Sequence, residues 1–266
     1  LSADIKQQSD ARRKAARPEF DTWLNTANAG QVAPLTPHEG LRFHALLGEA
    51  GRDRITVSVD GQAREIVAGK PLAGEAGHVS PQAVKLTSGA TFTIPEAGDF
   101  DTKQPFSCAA WVKLTKDNQT GSLVSRIGKG NRGWDLSLQR GMPALSLLYA
   151  SKDDGLRVAA TTQLKVGKWT HVAMTYDGSS KAGGVKLYID GVQKVVRVQV
   201  NTLKSSIRTE GPLAIGSRGA RHPLEGTALQ DVRLYGRLLP PAEVPRVVQA
   251  SRSIWVASKA SKERSA

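Results

Sequence analysis

Residues 168–192 read KWTHVAMTYDGSSKAGGVKLYIDGV, and this stretch decides the fold class. Its second half alternates: Val185, Leu187 and Ile189 share one face of an extended chain, and the polar residues between them share the other. The pair Asp190-Gly191 then supplies the positive φ angles of a tight hairpin turn. The stretch therefore predicts two antiparallel strands and a third that returns after the turn, which is a β-meander.

Three blocks of sequence carry a family resemblance. Residues 168–192 hold W-x-H-V-A, Y-D-G and L-Y-I-D-G in that order, residues 92–112 hold FTIP followed by PFSCAAWV, and residues 229–237 read LQDVRLYGR. In this order the blocks resemble the laminin-G-like domains of the concanavalin A-like lectin and glucanase group, across residues 82–247. The resemblance implies an all-β fold, a two-sheet antiparallel concanavalin A-like jelly-roll sandwich.

Three regions of the chain differ in composition and in hydrophobic pattern. We predict a helical lead-in over residues 1–34, a laminin-G-like β-sandwich over residues 35–250, and a polar tail over residues 251–266. Alternating runs bounded by Gly, Asp and Asn predict strands at 41–47, 54–59, 63–67, 82–87, 90–94, 106–114, 122–127, 133–139, 144–149, 156–162, 168–176, 184–190, 192–199, 212–216 and 227–235.

A short helix is expected at each end of the sandwich. In the lead-in, Pro18 suits the first turn of a helix whose apolar face carries Phe20, Trp23 and Leu24. After Pro240, a second helix is expected to start without a capping hydroxyl, with Pro245 tolerated in its first turn.

Length and composition agree with one soluble domain. The chain has 266 residues, enough to bury one large sandwich core, and no apolar run long enough to span a membrane. It begins at Leu1 rather than Met, so we expect a piece of a longer protein. The sequence therefore predicts no direct membrane insertion and leaves the compartment to the resemblance, which implies an extracytoplasmic location.

Cysteine and histidine provide no reactive centre. Cys108 is the single cysteine, so it forms no intrachain disulfide, and it falls on the strand face of Phe106 and Ala110. We therefore predict a buried, inert thiol. The five histidines lack metal-ligand spacing, which argues against zinc, and His171 is expected to be structural.

The chain also lacks the signature of a glycoside hydrolase. Related β-glucanases place their carboxylates on one strand face as E-x-D-x-x-E, and no such run occurs here. Neither a G-x-S-x-G elbow nor a phosphate-binding G-x-x-x-x-G-K is present. We expect a non-catalytic chain.

The resemblance implies one metal as a candidate. Many laminin-G-like domains hold Ca²⁺ on the sandwich rim through carboxylate, amide and carbonyl oxygens. The matching candidates are Asp99, Asp101, Asp117 and Asn118, although Gln230 stands where the family often has an acid. We expect no other cofactor.

Charge is the remaining indication of function. Basic side chains outnumber acidic ones by 37 to 24, which favours an anionic partner. Several laminin-G domains bind sulfated glycans through basic patches, so the resemblance implies a glycan rim here; a scattered, solvated charge pattern is the alternative. The candidate ligand residues of this rim are Arg126, Lys129, Arg132, Trp134, Arg218, Arg221 and His222. The basic residues lie in two groups of predicted loops, and Trp134 either stacks on a sugar or packs in the core.

Nucleic acid is a weaker partner, because aromatic residues make up 5% of the chain and no nucleic-acid-binding motif is visible. The flank ARPEFDTWL at residues 16–24 resembles the linker before the laminin-G-like insert of large planctomycete-type cytochrome c proteins with two domains of unknown function. Three functions stay open: a carbohydrate-binding module of a larger extracytoplasmic protein, a structural or protein-interaction insert bound to the rest of its parent, and a glycoside hydrolase.

Overall fold

The computed structural model describes residues 2–68, 70–87, 92–151, 153–219, 224–259 and 263. Arg221 and His222, two of the candidate ligand residues, lie outside the described residues. The described chain is mainly β, with helices at both ends. The predicted all-β sandwich with terminal helices is confirmed.

The helices are α1 (Ser2–Thr26), α2 (Ala29–Val32) and α3 (Val244–Ser258). The strands are β1 (Leu41–Ala45), β2 (Arg54–Val59), β3 (Gln62–Val67), β4 (Ala73–Ala76), β5 (Gln82–Lys85), β6 (Phe92–Ile94), β7 (Phe106–Lys113), β8 (Gly121–Ile127), β9 (Gly133–Gln139), β10 (Met142–Ser151), β11 (Asp154–Ala160), β12 (Trp169–Tyr176), β13 (Val185–Ile189), β14 (Val192–Gln193), β15 (Val196–Asn201), β16 (Leu213–Ile215) and β17 (Ala228–Tyr235).

The strands of the described residues form two antiparallel sheets. Sheet A has the order β14-β13-β12-β7-β17-β1-β2-β3, with β5 pairing β17 and β4 pairing β5; sheet B has the order β15-β11-β10-β9-β8-β16-β6. One apolar core lies between the sheets, and it contains Phe43, Phe106 and Leu145. Burial of such side chains stabilises the fold by about 25 cal/mol for each Å² of apolar surface removed from water.

The predicted meander is present. β12 pairs β13 antiparallel from Val172 opposite Ile189 to Tyr176 opposite Val185, and β14 follows β13 after the turn. The turn residues have φ angles of 51° at Asp190 and 76° at Gly191, the left-handed region that Asp-Gly favours. Here the local turn chemistry and the hydrophobic pattern specify the same structure.

Two sheet details differ from the sequence prediction. β4, residues 73–76, was missed because AGEA has no apolar alternation; it is held by pairing with β5. The predicted strand 192–199 is two strands, since β14 pairs with β13 in sheet A and β15 pairs with β11 in sheet B. The chain changes sheets at Lys194 and Val195, which a period-two pattern does not reveal.

The helices also depart from expectation. Pro18 lies inside the 25-residue α1 rather than in a first turn, because residues of good helix propensity flank it on both sides and outweigh one lost backbone hydrogen bond. α3 begins with Pro245 in its first turn and without a side-chain cap, as predicted. It continues beyond residue 250 into the polar tail that we predicted over residues 251–266, and it buries Ser251 and Ala257.

α3 lies on the outer face of sheet A. Val244 and Val247 pack against Ala109, Ala173 and side chains of β13 and β17. Its far end contacts the lead-in, where Trp23 and Val32 cluster with α3 residues. No helix in the described residues is both long enough and apolar enough to cross a membrane.

Candidate functional site

One end of the sandwich gathers three loops, and one of them carries the predicted ligand residues Lys129 and Arg132. The β8–β9 hairpin turns there between Ile127 and Gly133. Leu213 pairs with both Arg126 and Ile94, so the segments before β16 and after β6 leave sheet B at the same end. The register of sheet B therefore brings loops 95–105, 128–132 and 202–212 together.

A depression of about 600 Å³ lies between these loops, and we call it the basic cleft. Its described lining includes three cationic side chains, Lys129, Arg132 and Arg208, against two acidic ones, Asp99 and Glu210. Its volume falls in the range of small-molecule sites. The cleft therefore combines positive charge with a concave shape.

A second depression of about 570 Å³ adjoins the basic cleft, and we call it the glycine depression because four glycines line it. Lys129, Gly130 and Gly211 line both depressions, so the two are continuous. Arg218 also lines the glycine depression. Three of the predicted ligand residues, Lys129, Arg132 and Arg218, thus line one connected surface.

An aromatic ring lies in the basic cleft beside one of its arginines. The Arg132 guanidinium carbon lies 4.2 Å from the centre of the Tyr149 ring, a cation–π geometry. Arg132 Nε also donates a hydrogen bond to the Tyr149 carbonyl over 3.4 Å. Both side chains are half-buried, so the pair is fixed in position and still reaches solvent.

Lys129 provides a second cation to this cleft. It is exposed, and it sits beside Gly130, whose φ of 73° gives the hairpin its sharp turn. Among the residues that the structure describes, no carboxylate forms an ion pair with Lys129 or Arg132, while Arg208 lies 3.5 Å from Asp99 and 3.7 Å from Asp101. Two of the three cations are therefore available to an anionic ligand without breaking an ion pair.

Arg126 was predicted as a ligand residue, and the structure corrects this. Its side chain is buried, and Nη1 donates hydrogen bonds to the carbonyls of Pro95 at 2.7 Å and Ala97 at 2.6 Å. Nη2 donates to the Thr209 carbonyl at 3.3 Å, and burial lowers the pKa of the guanidinium. Arg126 ties the loops under the cleft together instead of reaching a ligand.

Trp134 was predicted either to stack on a sugar or to pack in the core, and it packs in the core. The residue is 1% exposed, its Nε1 donates a hydrogen bond to the Gly98 carbonyl at 2.8 Å, and its ring lies 5.3 Å from that of Phe106. The residue cannot contact a ligand in this conformation. The assignment of Trp134 as a ligand residue is therefore wrong.

Arg218 forms an ion pair with a buried acid on the outer face of sheet B. Its Nη1 lies 3.0 Å from Oδ2 of Asp135, which is 1% exposed. Burial raises the pKa of Asp135, although the positive charge of Arg218 acts in the opposite direction. Arg218 is thus partly neutralised, and it contributes less charge to the surface than Lys129.

Asp135 has no carboxylate beside it on the strands that it pairs with. Its register partners are Ser125 on β8 and Ser146 on β10, and Ser146 pairs in turn with Arg157 on β11. A retaining glycosidase needs two carboxyl groups about 5 Å apart. This part of sheet B lacks that pair among the described residues.

The four calcium candidates lie in two places. Asp99 and Asp101 precede β7, whereas Asp117 and Asn118 follow it, so a strand about 23 Å long separates the pairs. Oδ1 of Asp101 already accepts hydrogen bonds from the backbone N–H groups of Thr102 and Ile207. In the described residues, no three His, Cys, Asp or Glu side chains are grouped so as to hold a metal. The four candidates do not form one site.

Sequence reasoning missed Tyr149, and it placed Arg208 among the basic loop residues of a cationic rim without naming it as a ligand residue. Tyr149 continues the alternation of Leu145 and Leu147, which are core residues, so the sequence pattern predicts a buried core side chain at this position. It differs because β10 extends past the core to the end of the sheet. Arg208 follows Ile207, which is buried, and no pattern marks its exposure.

The buried thiol and the buried glutamine are both explained by the structure. Cys108 is fully buried, as predicted, and burial raises the pKa of its thiol. Gln230 accepts hydrogen bonds from the N–H groups of His78 and Val79 and donates to Ser80 and Gln82. It anchors the loop before β5 and does not lie at a rim site.

A comparison with family models decides the lineage of the chain. The model described as the concanavalin A-like lectin/glucanases superfamily matches residues 86–245. The chain belongs to this superfamily. No curated protein matches it.

Solved structures show the same sandwich in proteins of low sequence identity. The binding domain of Paraclostridial Mosquitocidal Protein 1 aligns with a TM-score of 0.62 at 17% identity, over 79% of this chain and 52% of that one. The botulinum neurotoxin serotype D binding domain aligns with a TM-score of 0.57 at 16% identity, over 79% of this chain and 50% of that one. The chain thus spans about half the length of these structures.

A third similar structure belongs to an enzyme. A mutant of Trypanosoma rangeli sialidase displaying trans-sialidase activity aligns with a TM-score of 0.55 at 17% identity, over 92% of this chain and 39% of that one. At such identities the three likenesses establish the fold.

Proposed function

We propose that the chain is a non-catalytic recognition module that binds a carbohydrate bearing an acidic group in the basic cleft. One observation carries this proposal: Tyr149 and Arg132 form a fixed, half-buried pair beside the unpaired Lys129 in a concave site. An aromatic face gives an apolar surface for a sugar ring, and the two cations give donors for a carboxylate or sulfate.

The composition of the cleft favours a sugar over a nucleic acid. Tyr149 is the one aromatic residue in its described lining, so successive bases would have no row of stacking surfaces there. The exposed carboxylate of Glu210 would also repel a continuous phosphate backbone. A carbohydrate with localised charge meets neither obstacle.

The module would serve within a larger protein that works outside the cytoplasm. The similar solved structures are longer than this chain, and two of them are named as binding domains. The terminal helices contact each other through α2 and α3, which suits a domain joined to neighbours at both ends. The planctomycete-type parent and the compartment stay predictions.

A structural or protein-interaction insert is the second candidate function, and one observation favours it. Val192, Val195 and Val198 are 58%, 76% and 52% exposed along the segment that crosses from sheet A to sheet B. Exposed valines on edge strands can add a strand from a partner. A chain that binds no glycan and instead binds a protein through this edge would support this alternative.

The proposal is tested with charge-matched double variants. Lys129→Gln/Arg132→Gln removes two positive charges from the cleft, and Arg140→Gln/Lys165→Gln removes two exposed charges at the opposite end of the sandwich. Binding to an array of neutral, carboxylated and sulfated glycans is measured at low and high salt.

We expect the parent chain to bind acidic glycans and to lose affinity as salt rises, because exposed charges are screened. The cleft variant should bind at least about tenfold more weakly, since two charge-assisted hydrogen bonds are lost. The opposite-end variant should stay within about twofold. Equal losses in both variants, or no glycan binding by the parent chain, would overturn the proposal.

A further inference from the structure

A third depression continues the surface beyond the basic cleft. It has a volume of about 400 Å³, and its described lining includes Arg42, Asp60, Glu96, Phe100 and Gln104. Asp99 lines both this depression and the basic cleft, so the two share a wall. Together with the glycine depression they form one groove across the end of the sandwich, which we call the terminal groove.

The charge of the terminal groove changes sign along its length. Lys129 and Arg218 line the glycine depression, and cations outnumber acids in the basic cleft. In the third depression, Arg42 is neutralised by Asp60 at 2.9 Å. The carboxylate of Glu96 is exposed and has no ion-pair partner among the described residues. One end of the groove is therefore positive and the other is negative.

Asp99 marks the point where the sign changes. Its carboxylate lies 3.5 Å from Arg208 and 3.9 Å from Arg126, so it is balanced from the side of the basic cleft. Glu96 receives no such compensation. The three cations of the basic cleft outnumber Asp99 and Glu210, so an anionic group bound there would meet a net positive charge. An anionic group in the third depression would face Glu96 directly.

The third depression offers surfaces that suit an uncharged sugar. Phe100 is half-buried, and its ring stacks on Phe106 with 4.5 Å between ring centres and 15° between ring planes. This stacking fixes the ring where it lines the depression. Gln104 is held by its Oε1, which accepts a hydrogen bond from the Asp101 N–H at 2.7 Å. A rigid ring beside a positioned amide provides apolar and polar contacts without charge.

We infer that the terminal groove binds an oligosaccharide with one acidic sugar, which occupies the basic cleft, and neutral sugars that extend into the third depression. Chains charged on every sugar would place a carboxylate or sulfate against Glu96. The inference rests on the proposed function and narrows its ligand from polyanions in general to glycans with localised charge.

Three probes separate this ligand from its alternatives. They are glucuronic acid alone, aldotriouronic acid, which links one uronic acid to two neutral xyloses, and trigalacturonic acid, which is charged on all three sugars. Affinities are measured by calorimetry for the 266-residue chain, for Glu96→Gln and for Glu225→Gln. Glu225 is an exposed glutamate at the opposite end of the sandwich and serves as the matched control.

We expect aldotriouronic acid to bind at least about tenfold more tightly than glucuronic acid, because its neutral sugars add contacts in the third depression. It should bind about two- to fivefold more tightly than trigalacturonic acid, which places a carboxylate against Glu96. Glu96→Gln should raise the affinity for trigalacturonic acid by about two- to fivefold, the size of an exposed charge interaction, and leave aldotriouronic acid within about twofold. Glu225→Gln should change neither.

Two results would overturn the inference, and they differ in whether the proposed function also fails. If trigalacturonic acid binds as tightly as aldotriouronic acid and Glu96→Gln has no effect, the charge gradient does not select the ligand, while the proposed function stands. If none of the three probes binds, the inference fails; if the acidic glycans of the array also fail to bind, the proposed function fails with it.

Discussion

The hydroxyl of Ser251 donates a hydrogen bond of 2.7 Å to Oδ1 of Asp231, and this contact joins α3 to β17. The same carboxylate oxygen lies 2.8 Å from His44 Nε2 and 2.8 Å from Arg233 Nε. Asp231 and Arg233 are both buried. α3 is therefore docked on sheet A through a buried ionic junction as well as through apolar contacts.

Removing the charge of Asp231 should destabilise the whole domain. Burial opposes ionisation of this carboxyl, yet the charge of Arg233 and the hydrogen bonds of His44 and Ser251 hold its pKa well below the usual range. Asp231→Asn would leave Arg233 buried without its counter-ion, so we expect a loss of about 3 kcal/mol or more in the free energy of unfolding, measured in urea.

Asp60→Asn is the matched control for that variant. Asp60 and Asp231 both have positive φ angles, 47° and 52°, which asparagine adopts readily, so the backbone cost is small in each. The Asp60–Arg42 pair is exposed, and its loss should cost less than about 1 kcal/mol. Equal losses at the two sites would contradict the ionic junction.

Stability should fall between pH 6.5 and about pH 4 because of His171. The residue is 1% exposed, neither ring nitrogen has a hydrogen-bond partner among the described residues, and burial lowers its pKa to about 4. The charges of Asp231 and Asp190 favour protonation, and those of Arg233 and His78 oppose it. Below pH 6.5 the unfolded chain binds a proton that the folded chain does not, so the free energy of unfolding decreases as pH falls.

The decrease from His171 should approach about 1.4 kcal/mol per pH unit and about 3 kcal/mol in total. The pKa of His78 is also lowered, by burial and by Arg252, so it adds a smaller slope in the same window. Asp231 affects stability only at lower pH. Its ionised form stabilises the folded state, and this stabilisation is lost as pH falls below about 4, the pKa of an aspartate in the unfolded chain. Urea unfolding of His171→Phe at pH 7, 6, 5 and 4.5 should show a reduced slope; an unchanged slope would exclude this role.

Tyr149 should matter for binding and little for stability. Its ring is half-buried under Arg132, so Tyr149→Ala removes a ligand surface while losing a contact worth about 1 kcal/mol at an exposed site. We expect affinity for an acidic glycan to fall about tenfold or more, with a change in unfolding free energy of about 1 kcal/mol.

Trp134→Phe should instead affect stability and have little effect on binding. It removes the hydrogen bond to Gly98 and leaves space in the core, so we expect a loss of about 1–3 kcal/mol in stability and an affinity within about threefold. If instead Trp134→Phe abolished binding while Tyr149→Ala left it intact, the placement of the ligand would be wrong.

The fold could be predicted because its signals are local. Asp190-Gly191 allows few conformations other than a tight turn, and the alternation of Val185, Leu187 and Ile189 fixes which face enters the core. The lead-in helix was found, but its length was not, since a proline in an exposed helix is a cost that neighbouring residues can outweigh.

The site was less predictable because accessibility depends on the packing of distant segments. Arg126 and Arg132 look equivalent in sequence, yet Arg126 is buried by the carbonyls of Pro95 and Ala97, which lie 31 and 29 residues away. Tyr149 has the period of a core residue but lies past the end of the core. Loops that meet only through sheet register therefore hide their contacts from a pattern based on near neighbours.

The most direct test of the binding site is NMR mapping of the 266-residue chain with aldotriouronic acid, or with the tightest acidic glycan of the array if that trisaccharide does not bind. We predict that the amide signals which shift on titration belong to the terminal groove, led by Gly130, Tyr149 and Gly211, with those of Gly98 and Phe100 shifting in addition when neutral sugars are present. Shifts confined to another surface, such as the Val192–Val198 edge, or no shifts with any acidic glycan, would contradict the account.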